Sequence, residues 1–230
     1  MLFRSPAGDF TVDFNAREMI MPIGTPILFN NISAKGVLGN QQMVFTEVNA
    51  KLLDGSSTGS LKIDWKQGMS LAGNFSVKKI KLDQAAELFT RGVSLSGRLD
   101  GEYAIAALAG SVGNLLEQPK IQGNFSVREG SIGNVDLVQV LRSQDGSGQG
   151  GQSKFSELTG QLRAADGVIH YEKMKLVGGV LLANGNIHVV YATGALSGSV
   201  GAEIRSNVAQ DRANFSISGN VARPALKRGG

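Results

Sequence analysis

The sequence predicts a mainly β fold: a curved antiparallel sheet of serial hairpins, closing as a groove, open barrel or sandwich, with two short helices. Three observations carry that expectation. First, one phrase occurs twice: Gly73-Asn74-Phe75-Ser76-Val77-Lys78-Lys79-Ile80-Lys81-Leu82 returns as Gly123-Asn124-Phe125-Ser126-Val127-Arg128-Glu129-Gly130-Ser131-Ile132, and both copies alternate with the period of a strand. Second, weaker echoes of the phrase run through 60–65, 160–163, 185–189 and 214–219. Third, glycine numbers 31 of 230 residues, about twice the usual share of roughly 7% and without a G-X-Y period. In an alternating background such glycines mark turns, bends and close strand approaches.

The elements follow in order. Residues 9–20 alternate through Phe10, Val12 and Phe14, then change phase before a turn at 21–26. Residues 27–38 continue with Ile32, Ala34, Gly36 and Leu38 on one side, and Gly39-Asn40-Gln41 opens a hairpin into Met43 and Phe45. Asp54-Gly55-Ser56-Ser57 reads as a turn. Beyond it Leu61, Ile63 and Trp65 face one way while Lys62, Asp64 and Lys66 face the other, and the next strand turns Leu71, Gly73, Phe75 and Val77 inward. Residues 83–91 break the rhythm: Asp83 can cap, and Leu82, Ala85, Ala86 and Phe89 form an apolar stripe before Gly92. A second short helix is expected at 134–142, capped by Asn134, with Leu137, Val140 and Leu141 on one face. Strands around 94–108 and 120–127 lie between the two. Further strands are expected at 155–164, 167–177, 180–191, 195–205 and 212–221, with turns at Asp166-Gly167 and Ala183-Asn184-Gly185-Asn186.

Organisation follows from the same pattern. Residues 1–142 form a β-rich region containing both helices, 143–153 a flexible Gly-rich loop, 154–222 a C-terminal antiparallel region, and 223–230 a fraying tail. No cysteine is present, so disulfides and thiolate metal sites are excluded. The net charge of +4 is spread along mixed strands, which argues solubility and no nucleic-acid partner. No stretch reaches the roughly 18 apolar residues of a spanning helix, and the first ten residues lack a signal-peptide core. A membrane anchor, if any, is therefore expected outside this chain.

No catalytic constellation or cofactor is expected. Gly146–Gly151 lacks the lysine and hydroxyl of a phosphate-cradling loop, and a strand follows it. His170 and His188, the two histidines, sit in separate strands and could meet only by register, without an acidic cluster to complete a metal site. The candidate functional surface is instead an apolar groove lined by Leu61, Ile63, Trp65, Leu71, Phe75, Val77, Phe125, Val127, Phe155, Ile187, Val189, Phe215 and Ile217. The same alternation serves a closed core and an open trough alike.

Phe125–Ile132, Phe155–Leu162 leading into Asp166–His170, and Leu176–Ile187 resemble elements of the AsmA-like family of bacterial envelope proteins, across roughly 70–221. The resemblance implies a periplasmic protein tethered to the inner membrane in its full-length form. It also implies kinship to TamB-like proteins, whose long β-grooves carry phospholipid or help assemble outer-membrane components. Phospholipid or another acyl lipid, and other envelope proteins, are then the expected partners. No catalytic residues come with the family. The alternative expectation is a structural or protein-interaction module that docks through its sheet edges.

Overall fold

The computed structural model describes residues 8–23, 25–89, 94–109, 119–143, 150–205 and 210–229. Thirteen strands form one antiparallel sheet in strict chain order: β1 (Phe10–Ile23), β2 (Thr25–Leu38), β3 (Gln42–Leu52), β4 (Gly55–Asp64), β5 (Met69–Lys81), β6 (Leu95–Ala109), β7 (Lys120–Gly133), β8 (Gln152–Ala165), β9 (Val168–Gly178), β10 (Leu181–Val190), β11 (Ala195–Arg205), β12 (Gln210–Asn220) and β13 (Arg223–Arg228). Helix α1 (Leu82–Phe89) follows β5, and α2 (Leu137–Arg142) follows β7. The sheet is open, with β1 and β13 as its edges.

Local chemistry sets the hairpins. Asp166 and Gly167 both have positive φ and join β9 to β8 as a two-residue turn, as their sequence predicts. The turn expected at 54–57 falls two residues earlier, centred on Leu53 and Asp54, and β4 starts at Gly55. The phase change expected in the first strand occurs where β1 crosses Asn31 (φ 48) of β2: beyond it Ile27 is buried while Ile20 and Leu28 are exposed. Lys79 and Glu129 occupy the same place in the repeated phrase, and both adopt positive φ beside a register shift. The repeat therefore encodes a bulge as well as a strand.

Two expectations are corrected. Ala183–Asn186 is not a turn but mid-β10, paired to β11 throughout and irregular only against β9, between Gly185 and Ile187. The turn lies instead at Gly179-Val180, where Gly179 supplies φ 60. Residues 223–228, read as a fraying tail, form edge strand β13. Leu226 is buried opposite Ile217, and the Arg228 guanidinium donates to the Ser143 carbonyl at the end of α2. Of the loop expected at 143–153, Gln152 and Ser153 already belong to β8 and pair with Gly133 and Ile132 of β7, while 144–149 lie outside the described residues.

The sheet curls toward one side. Helix α2 touches β8, β11 and β12. A six-residue helix is only about 9 Å long, whereas β8 and β12 would stand about 19 Å apart in a flat sheet. Helix α1 likewise touches β2, β5 and β6. Glycines allow the bend: a Cβ at Gly59 or Gly123 would run into the carbonyl oxygen of Asn74 or Glu102 on the adjacent strand. Rings fill the space the glycines leave, Phe75 against Gly59 and Gly73, and Tyr103 against Gly101 and Gly123. Gly123→Ala is therefore expected to cost about 1–3 kcal/mol, read as a lower midpoint in urea denaturation.

The cap of helix α2 lies two residues beyond the expected one. Asn134 takes φ 64 and donates its amide to Ala222 O at 3.1 Å. Asp136 caps instead, its extended backbone aiming Oδ1 at the Val138 and Gln139 N–H groups, each at 3.0 Å. Buried Ser153 locks this turn to β8 by accepting from Leu137 N–H and donating to Val135 O, both at 2.9 Å. Ser153→Ala strands two backbone groups and is expected to cost about 1–3 kcal/mol in the same denaturation assay. Helix α1 starts at Leu82, so Asp83 lies inside its first turn rather than before it; the last two residues of the predicted helix fall outside the described residues.

Candidate functional site

Registers keep track of faces, because directly paired residues point to the same side of a sheet. Followed from strand to strand, they bring the predicted groove residues together. Ile63 pairs with Leu71, Leu61 with Gly73, Phe75 with Tyr103, and Val77 with Gly101. Phe125 pairs with both Gly101 and Gly160, and Val127 with Leu99 and Leu158. Phe155 pairs with Gly130, Ile187 with Tyr171, Val189 with Ile169, Phe215 with Val200, and Ile217 with Gly198. Trp65 follows the last residue of β4, half-buried. Tyr103, Ile105, Met43 and Phe45 share this face and were not among the predicted lining, although each sits in phase with its strand. Phe10 and Phe14 of β1 belong to it too.

Burial divides the face in two. Phe125, Val127, Phe155, Phe215 and Ile217 are buried in a core completed by Leu137, Val140 and Leu141 of α2. Leu61, Ile63, Trp65, Leu71, Phe75, Val77, Ile187 and Val189 remain half-buried. The helices explain the division. Both α1 and α2 leave from the ends of strands running in the same direction, so both cap the same end of the curl. Among the described residues no other helix crosses the apolar side. On the edge strand the exposure is greatest, Phe10 reaching 54% and Phe14 41%.

The electrostatics separate by face. The ring of Phe125 meets that of Tyr171 edge-on, 6.1 Å between centroids, across Gly160. Burial pushes the Tyr103 hydroxyl up to about 12, with Tyr171 adding to the shift, and burial also raises Tyr171. Both phenols therefore stay neutral at physiological pH and put no charge on the apolar side. The ion pairs lie on or near the opposite face or at its turns: Lys62 with Asp64, Arg128 with Asp100, Arg205 with Glu203, and Lys81 with Asp54. They are solvent-exposed pairs of little energetic weight. Among the described residues no group of three or more His, Asp or Glu is placed to hold a metal ion.

Two broad depressions lie away from the apolar face. One, about 740 Å³, spreads over the polar face among Asn74, Glu102, Asn124, Gln161, Arg163 and Glu172. The other, about 750 Å³, sits by the β4–β5 connection near Lys66, Gly68 and Leu108. What the arrangement offers chemically is a long apolar face, packed against α2 at one end and half-buried at the other, backed by a polar surface. No family model, curated protein or solved structure matches this chain.

Proposed function

We propose that this chain is a non-enzymatic cell-envelope β-domain that binds or guides acyl lipid along its apolar face, in support of phospholipid transport or outer-membrane assembly. The observation that carries the reading is the continuity of that face from β1 to β13, with helical cover at one end only. The motifs resembling AsmA-like proteins support the envelope setting, with the protein facing the periplasm.

The energetics suit the task. A run of about ten methylenes taken out of water is worth about 8 kcal/mol, comparable to an association cost of about 4 to 15 kcal/mol. Retention therefore depends on acyl length, and no headgroup pocket is needed. Native mass spectrometry after gentle extraction tests this directly: lipid masses should accompany the protein, and longer chains should be enriched. A lipid-free protein would count heavily against it.

A second reading, docking of envelope proteins by strand addition, is favoured by one observation. Outer strand β1 runs for 14 residues with one side unpaired, and Phe10, Phe14 and Ile20 are exposed along it. A lipid-free chain that captured partner strands along β1 would favour that reading.

A further inference from the structure

We propose that His170 and His188 form a two-imidazole site for a borderline divalent transition-metal ion, Cu(II) ahead of Ni(II) and Zn(II). The two residues are direct partners across β9 and β10, on the polar face and away from the apolar one. Their Nδ1 atoms stand 2.7 Å apart, with ring centroids 4.7 Å apart and planes at 72°.

The contact between two like nitrogens defines the chemistry. It can be satisfied only if one ring carries Nδ1–H and the other presents a bare Nδ1, so a single proton is shared between two lone pairs. A metal ion takes the place of that proton and accepts both lone pairs. Two nitrogens bound at about 2.0 Å to one ion, at angles from square to tetrahedral, stand about 2.8 to 3.4 Å apart. The rings need to separate by only a few tenths of an ångström.

The surroundings set the class of ion. Arg163 of β8 aligns with His170, and Ser197 of β11 aligns with His188, in one row across the sheet. Glu172 lies two residues along β9. Since no third protein ligand is gathered among the described residues, water completes the coordination. Imidazole pairs favour Cu(II) at the top of the Irving–Williams order, and hard cations that want oxygen ligands are excluded. Bound metal would clasp β9 to β10 beside the irregularity at Gly185 and Ile187.

The test uses the untagged full chain at neutral pH. Cu(II) titrated by calorimetry should bind one ion per chain, Ca(II) should give no heat, and the Cu(II) electron paramagnetic resonance spectrum should report two imidazole nitrogens. His170→Gln and His188→Gln should each weaken binding at least tenfold, with the metal-free unfolding midpoint unchanged. The spectrum of the parent protein counts nitrogens whether or not the variants fold. Absence of binding, a one-imidazole spectrum, or undiminished binding by the double variant would overturn the proposal.

Discussion

Phe215→Ala is expected to lower stability by about 3–5 kcal/mol, while Phe75→Ala lowers it by only about 1–2 kcal/mol. The two rings share one face of one sheet and the same place in the alternating pattern, yet their surroundings differ. Phe215 is 2% exposed in the core that includes α2, and truncating it leaves a cavity that the helix and its neighbouring strands cannot fill. Phe75 is half-buried over Gly59 and Gly73, where solvent already reaches part of the ring. Parallel urea denaturation of the two variants gives the comparison. Equal losses would mean that the β4–β6 part of the face is as tightly packed as the part under α2, which contradicts a half-open trough.

Leu71→Asp is expected to reduce acyl-lipid binding at least tenfold, whereas Ala72→Asp on the same strand leaves it unchanged. Leu71 pairs with Ile63 on the apolar side, and Ala72 pairs with Lys62 on the polar side. The two substitutions add the same charge, one residue apart, to opposite faces. A carboxylate at 71 must either be desolvated against the acyl chain or hold water in its path. Binding of a fluorescent fatty acid by both variants measures the difference. Equal affinity in the two would remove the apolar face from the account.

Much of this architecture was legible in the chain because a strand period of two is a strong signal and chain-neighbour hairpins require no long-range inference. The repeated phrase fixed both β5 and β7, each with Gly and Phe inward and Asn and Ser outward. What escaped was decided by single backbone conformations and by tertiary contact. Asn134 looked as good a cap as Asp136, but its left-handed backbone and its bond to Ala222 removed it from the helix. Ala183–Asn186 carried turn chemistry, yet Gly185 serves a close approach to Ser199 and Val200 rather than a reversal. Residues 223–228 have only Leu226 and Ala225 as apolar residues, and they are ordered by what they touch: Ile217 beneath and Ser143 beyond. The candidate lining was found as a set of phases, but its division into a packed end and a half-open end depends on where two short helices lie over the curl. Periodicity does not encode that placement. The meeting of His170 and His188 was likewise a matter of register, settled only by the β9–β10 pairing.

The absence of native cysteine makes the most direct measurement simple, since one introduced thiol is unique in the chain. An environment-sensitive fluorophore attached to Leu71→Cys, and separately to Lys62→Cys, is followed as acyl lipid is added. The account predicts a shift to apolar emission at position 71, growing with acyl length, and no change at position 62. Unchanged emission at 71 with lipid in excess, or an equal response at 62, would contradict it.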